Sequence, residues 1–213
     1  MENCTLLNKR AYNALAPEYQ EKWQDFIPQQ TGVMYSLKSW LRALERKAKV
    51  LDIGCGVGLD AFILSNSGFE VKGIDVSEKM LEFARKNAPG CKFIEGDFLE
   101  AELSEKFDAI IMGAFIHLFP RHDASRVLQK AKSLLNDGGL VFVSTTCSNV
   151  SKEGLFRKEG YSGSELRSRK FWTEQELREF LESEGFDIID FFKDFDEVRN
   201  KQWMNFIVRK TRA

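Results

Sequence analysis

The sequence predicts an α/β fold built on a mostly parallel sheet with helices on both faces. Three observations carry this. Residues 50–58 read Val-Leu-Asp-Ile-Gly-Cys-Gly-Val-Gly, an apolar run that ends in glycines at alternate positions. Helical spacing begins at once after it, at Leu59, Ala61, Phe62 and Leu64, and apolar runs and helical periods then alternate along the chain. A second acid, Asp75, closes the next apolar run (Val71, Gly73, Ile74), 21 positions after Gly54. A strand entering a glycine turn and then a helix lets the backbone come close to a ligand. In a nucleotide-binding βαβ unit, an acid about 20 residues past the first glycine ends the next strand and meets ribose hydroxyls.

The elements follow in order. Residues 6–24 predict a helix, with Leu6, Leu7, Ala11, Leu15, Tyr19 and Trp23 on one face. Pro28 and the polar residues 29–32 are expected to break it, and a second helix over 34–47 carries Leu37, Trp40, Leu41 and Leu44. The first strand is 49–53. Ser77 caps a helix that runs to Asn87 and ends at Pro89-Gly90. Strands at 92–95 and 107–112 follow, then a helix over 123–135, a turn at Asp137-Gly138-Gly139 and a fifth strand at 140–145. Residues 146–171 are polar and show no clean period. Thr173 opens a helix with Glu176 placed for a capping box. Gly185 ends that helix, and 187–192 and 203–209 read as two closing strands, most simply an antiparallel hairpin.

Composition narrows the function. The chain has 213 residues, 43% hydrophobic and 30% charged, the size of one domain with a single large core. A formal net charge of −1 provides no general positive field for nucleic acid. Cys4, Cys55, Cys91 and Cys147 lie far apart, and His117 and His122 are the only histidines, so neither a disulfide framework nor a metal site is expected. There is no secretory signal and no apolar run of bilayer length, so the chain reads as cytoplasmic, with no membrane segment.

The glycine spacing separates two cofactor readings. The dinucleotide fingerprint needs its third glycine where this chain has Leu59, and does not need an acid at Asp52. Asp-x-Gly-x-Gly-x-Gly at 52–58, with Asp75 ending the next strand, resembles the class I S-adenosylmethionine-dependent methyltransferases, of the small-molecule type. Further motifs match in order: Val-Lys-Gly-Ile-Asp-Val-Ser (71–77), Gly96-Asp97-Phe98, Phe-Asp-Ala-Ile-Ile-Met (107–112) and Leu-Asn-Asp-Gly-Gly-Leu-Val-Phe-Val (135–143). The resemblance implies a Rossmann-like seven-stranded sheet with an antiparallel C-terminal hairpin and an N-terminal helical lid. It divides one domain, 1–213, into a lid (1–47), a cofactor-binding core (48–145), a substrate-side loop (146–172) and a closing helix and hairpin (173–213).

It also implies roles. The Gly54, Gly56 and Gly58 backbone would face the methionine part of S-adenosylmethionine, whose product is S-adenosylhomocysteine. Asp52 would hold its ammonium end and Asp75 its ribose hydroxyls. Val76 and Met80 would line one side of the adenine, Phe98 and Phe115 the other, and Asp97 would accept the exocyclic amine. For Asp97 a plain turn role stays open, and for Met80 a core position. Tyr12-Asn13-Ala14-Leu15-Ala16-Pro17-Glu18-Tyr19 is similar to the lead-in that folds over the cofactor, with Tyr12 and Tyr19 two turns apart on one face. A helix that simply covers the sheet is the competing reading.

Methyl transfer from a sulfonium asks the protein to align the nucleophile, exclude water and often accept a proton. His117, just past the fourth strand, is the candidate base; a packing histidine stays open beside it. Arg157, Lys158, Arg167, Arg169 and Lys170, followed by Phe171 and Trp172, suit an anionic substrate with an apolar body, with Arg169 and Trp172 as the substrate contacts. Glu153, Glu159 and Glu165 in the same stretch favour a solvated loop instead. Cys147 resembles the catalytic cysteine of RNA cytosine-5 methyltransferases, but the Pro-Cys pair those enzymes carry after the fourth strand is Gly113-Ala114-Phe115 here, so Cys147 reads as structural. The expected function is methyl transfer to oxygen or nitrogen of a small molecule, by a monomer or homodimer. A tRNA- or protein-modifying methyltransferase, a non-catalytic cofactor-binding subunit and, more distantly, a nicotinamide-dependent oxidoreductase are the alternatives.

Overall fold

The computed structural model describes residues 4–43 and 47–211. Its strands are β1 (Lys49–Ile53), β2 (Glu70–Asp75), β3 (Lys92–Glu95), β4 (Phe107–Gly113), β5 (Leu135–Thr146), β6 (Lys152–Arg157), β7 (Leu166–Phe171), β8 (Phe186–Asp196) and β9 (Lys201–Lys210). Seven of them form one sheet in the order β3-β2-β1-β4-β5-β9-β8, as the resemblance implied. Parallel pairing joins β3, β2, β1, β4 and β5, and β9 runs antiparallel to both β5 and β8. From β1 the chain works outward to β3, then returns to β4 on the other side of β1. The carboxyl ends of β1 and β4 therefore flank a crevice at the point where the strand order reverses, which is where open α/β sheets hold ligands.

Alternation along the strands builds the two layers. Leu51 and Ile53, Ile110 and Met112, and Val141 and Val143 face α6 (Arg121–Leu134) and α7 (Glu174–Ser183). Val50, Ala109, Ile111 and Phe142 face α3 (Tyr35–Arg42) and α4 (Leu59–Asn66). β4 is buried on both faces from Phe107 to Met112, which explains its apolar run over 109–112. Each such aliphatic side chain contributes about 1.5–3 kcal/mol on burial.

Two expectations are corrected, and a third falls outside the described residues. Pro28 does not break the lead-in; it lies inside α2 (Trp23–Val33), which follows α1 (Cys4–Glu21). Trp23, Phe26 and Val33 bury one face of α2, and that tertiary burial outweighs the local disruption by proline. Leu44, assigned to the second helix, lies outside the described residues. The turn at 137–139 is a bulge inside β5, where the pairing with β4 shifts between Phe107 and Ala109 and Gly138 adopts φ 74°.

The stretch 146–171 is not loop alone: β6 and β7 pair antiparallel, with Leu155 opposite Ser168 and Arg157 opposite Leu166. The hairpin was hidden because the residues it buries are Arg167, Ser168, Arg169 and Lys170. A buried run written in charged and polar residues gives no hydrophobic signal. Thr173 does cap α7, accepting from Glu176 N at 3.2 Å, but the Glu176 carboxylate takes Lys170 Nζ at 2.8 Å.

Helix α5 (Glu78–Asn87) joins the lid to the sheet. Ser77 Oγ accepts from Met80 N at 3.1 Å and donates to Asn13 Oδ1 at 2.6 Å, while Asn13 Nδ2 donates to Glu78 Oε1 at 2.9 Å. One hydroxyl thus caps α5 and anchors α1. Ser77→Ala is expected to lower stability by about 1–2 kcal/mol, and the double substitution with Asn13→Ala to be less than additive by about 1 kcal/mol. Urea unfolding of the four proteins measures this; strict additivity would mean that the cap and the lid are independent.

Candidate functional site

Above the carboxyl ends of β1 and β4 lies about 1340 Å³ of space, part of it open to solvent. The glycine turn forms its floor. Gly54 has φ 69°, and a Cβ there would strike the Phe115 ring that lies against it. That ring packs edge-on against Phe119 with centroids 5.0 Å apart. Gly58 does not line the cavity. It starts α4 with φ 82°, and a Cβ there would sit 3.1 Å from Ala84 of α5, so its role is to let the two helices approach.

The structure brings most of the expected residues together. Tyr12, Tyr19, Asp52, Gly54 and Gly56 line the cavity, as do Asp75, Val76, Met80, Asp97, Phe98 and Phe115. Asp75 Oδ2 accepts from Gly56 N and Oδ1 from Ser77 N, both at 2.8 Å. A carboxylate has about four acceptor sites, so further donors can be taken. Asp97 Oδ1 accepts from Leu99 N at 2.9 Å, its turn role, and Oδ2 accepts from Thr5 Oγ1 of α1 at 2.8 Å. Tyr12 and Tyr19 share a face of α1, with ring centroids 6.1 Å apart.

The electrostatics of the floor are unusual. Asp52 is only 2% exposed, and its Oδ2 has no hydrogen-bond partner among the described residues. Burial pushes its carboxyl well above the usual range, and the neighbouring Asp60 and Asp75 push it further. Burial lifts Asp60 to about 6, opposed by a 2.6 Å hydrogen bond from Gln30 Nε2 and by Arg199. Burial raises Asp75 too, opposed by the amides of Ser77, Gly56 and Val76. Three carboxylates crowded under low dielectric favour a cationic ligand and repel a pyrophosphate.

Other expected residues stand apart from the cavity lining. His117 lies in a 3₁₀ turn (Ile116–Leu118), 1% exposed, with Nδ1 2.8 Å from Thr145 Oγ1. Burial holds its pKa well below the ordinary value, and Arg169 and Arg167 depress it further. Trp172 is fully buried and stacks on Phe180 of α7 at 4.9 Å. Arg169 is buried, donates to Thr146 Oγ1 and lies 5.1 Å from the centre of the Phe171 ring. Cys147 is half-buried and its backbone bridges to Trp172.

Several cavity residues escaped the sequence reading. Asp60 sits in the first turn of the helix that Gly58 opens, a position an acid occupies for helix reasons alone. Asp196, Arg199, Trp203 and Asn205 reach the cavity from the β8–β9 hairpin, and only the pairing of β9 with β5 puts them there. Among the described residues, no helix is long and apolar enough to cross a membrane, and no cluster of three or more His, Cys, Asp or Glu could hold a metal.

Comparison with known proteins agrees with this geometry. Residues 50–139 match the family described as "Methyltransferase domain". An uncharacterized methyltransferase of Alkaliphilus oremlandii is 26% identical over 161 residues, covering 75% of this chain and 71% of that protein. Glycine N-methyltransferase of Rattus norvegicus is 31% identical over 64% of this chain, which spans only 57% of that enzyme. Among solved structures, magnesium protoporphyrin IX methyltransferase from Synechocystis with bound SAH has a TM-score of 0.74 at 20% identity, covering 98% of this chain and all (100%) of that one. The 1,6-didemethyltoxoflavin-N1-methyltransferase of Burkholderia thailandensis has a TM-score of 0.68 at 22% identity, covering 96% and 91%. The match over residues 50–139, the motifs in their order and the sheet in this topology agree with the resemblance to the class I S-adenosylmethionine-dependent methyltransferases.

Proposed function

We propose that the chain transfers the methyl group of S-adenosylmethionine to an oxygen or nitrogen of a small-molecule acceptor. The unpartnered Asp52 oxygen in an acidic, glycine-floored cavity carries this reading. It suits the ammonium end of the cofactor and disfavours a nicotinamide dinucleotide, whose phosphates would meet three carboxylates. In this reading Asp52 holds the ammonium group, Gly54 and Gly56 pass close to the methionine portion, and Asp75 takes the ribose hydroxyls. Val76, Met80, Phe98 and Phe115 enclose the adenine, and Asp97 accepts its amine. Tyr12 and Tyr19 close the site from above.

When bound, the cofactor supplies a methyl group already activated on a sulfonium. The chain's part is alignment and exclusion of water. Helix α1 serves both, tied down by Asn13 to Ser77 and by Asn8 Nδ2 to Leu118 O at 3.1 Å. A crevice covered this way favours a small acceptor over a folded macromolecule. The position of His117, outside the cavity lining and bonded to Thr145, supports a packing role over that of a base.

Three measurements test the reading. Calorimetric titration should show binding of S-adenosylmethionine and S-adenosylhomocysteine but not of a nicotinamide dinucleotide. Asp75→Ala should weaken the sulfur ligands at least tenfold, about 1.4 kcal/mol. Unchanged affinity would remove Asp75 from the ribose site.

The affinity should also depend on pH in a set direction. Ionised Asp60 attracts the cation, so its protonation as pH falls through about 6 weakens binding. Between pH 7 and pH 5 the loss should approach about tenfold per unit for one linked proton. Asp60→Asn should flatten the profile; a flat wild-type profile would contradict the charge argument.

His117 gives a separate stability signature. Its native pKa lies below the unfolded value of about 6.5, so the unfolded chain takes up a proton the native state refuses. That stability is complete above pH 7 and falls away on acidification, by about 1 kcal/mol from pH 7.5 to 5.5. Denaturant titrations of wild type and His117→Asn should differ by this slope, with cofactor affinity equal in both.

A further inference from the structure

The face of β7 that turns inward carries charge. Arg167 and Arg169 lie two apart and so project from the same side of the strand, each 6% exposed. Nε and Nη1 of Arg167 are buried with no hydrogen-bond partner among the described residues. Just past β6, the half-buried Lys158 has its ammonium 5.5, 5.1 and 5.0 Å from the ring centres of Tyr12, Tyr19 and Tyr161. The neighbouring cations have carboxylate partners: Arg199 pairs with Asp196, and Lys201 lies 3.4 Å from Glu159. Among the described residues, Arg167 has no such pairing. The three cations also repel one another: Lys158 is held well below the usual amine range by burial and then by Arg167 and Arg169, and Arg169 falls to about 9 by burial and then Arg167.

An unpaired guanidinium buried among other cations is strongly unfavourable for the fold. The fold nevertheless holds it in place. Ser168, between the two arginines, donates its N–H to Asn8 Oδ1 at 2.9 Å, and Asn8 is itself on the cavity wall. Tyr12 and Tyr19 line the cavity and also carry Lys158 against their rings, so the cationic cluster adjoins the cavity across one aromatic layer. Guanidinium forks match the geometry of planar oxyanions. We infer that Arg167 and Arg169, assisted by Lys158, form the docking site for an oxyanion group, carboxylate or phosphate, on the methyl acceptor. This rests on the methyl-transfer reading of the adjoining cavity and assigns the acceptor its charge: the cationic cofactor lies on the acidic floor and the anionic acceptor under the basic hairpin.

The test uses the full chain, alone and saturated with S-adenosylhomocysteine, titrated with acetate, benzoate, inorganic phosphate and the neutral isostere benzamide. Thermal shift and calorimetry read the binding. At least one anion should bind ten times more tightly than benzamide. Arg167→Leu should abolish that preference and leave S-adenosylhomocysteine affinity unchanged. Without ligand it should melt a few degrees above wild type, because an uncompensated buried charge has gone. Anions that bind no better than benzamide would overturn the inference, as would an anion preference that survives in Arg167→Leu. A lower melting point in that variant would mean a structural role and would also overturn it; Arg167→Gln serves as the second variant should Arg167→Leu not fold. Arg167-dependent anion binding without any S-adenosylhomocysteine binding would sink the methyl-transfer reading and leave the oxyanion site standing.

Discussion

The Asp75 carboxylate is the joint on which the site depends. Its two oxygens accept from Gly56 N, in the turn after β1, and from Ser77 N, at the start of α5. Those bonds fix the glycine turn relative to the end of β2. Ser77 in turn fixes Asn13, and through it α1. Floor, wall and cover of the cavity thus connect through one acid and one hydroxyl. The arrangement has a consequence for binding: Asp75 is held in place before any ligand arrives, so a ligand that uses its remaining acceptor sites does not have to order it.

The second organising feature is the separation of charge. The net charge of the chain is −1, yet the site is strongly polar. Asp52, Asp60 and Asp75 lie on the sheet side, while Lys158, Arg167, Arg169 and Arg199 lie on the lid and hairpin side. The two sets meet only weakly; Arg199 lowers Asp60 but spends its ion pair on Asp196. A fold that kept these groups apart without ligands would carry their desolvation uncompensated. Under the proposed methyl transfer, ligands of opposite charge at the two ends would relieve both.

The cover is made of two pieces that are distant in sequence. Helix α1 supplies Tyr12 and Tyr19, and the β6–β7 hairpin supplies Lys158 and the arginines. They are stitched by Asn8 to Ser168, by Glu18 to Ser162 N at 3.0 Å, by Lys22 to Gly160 O at 3.1 Å, and by the stacking of Tyr19 on Tyr161 at 5.0 Å. Most of these contacts are polar and partly exposed, unlike the apolar packing of the sheet. Contacts of that kind open more easily than a core, which suits a cover that must admit an acceptor.

How much of this was legible in the sequence follows from the range of the interactions involved. The order of strands and helices, the Ser77 and Thr173 caps, and the glycine turn with Asp75 at the end of the next strand rest on local rules: periodicity, turn chemistry and an acid at a strand end; Asp52 and Asp97 came from the resemblance of their motifs to a known family. Those rules act within a few residues, so the chain itself determined them. The same locality explains the misses. Pro28 was read as a break because its local effect is disruptive; the burial of Trp23 and Phe26 that overrides it comes from packing against other elements. The β6–β7 hairpin was invisible because its buried face is charged. Asp60 escaped notice because an acid in the first turn of a helix has a local explanation, whereas Arg199 and Trp203 join the site only through the pairing of β9 with β5, more than fifty residues apart in sequence. His117 and Trp172 were placed by proximity along the chain, whereas packing against Thr145 and Phe180 decided where they point. Sequence by itself determined the sheet and its cofactor-type floor, because backbone conformation is a local property. Tertiary structure alone decided the cover and its unpaired arginine, because which charges share a cavity depends on segments that meet only in the fold.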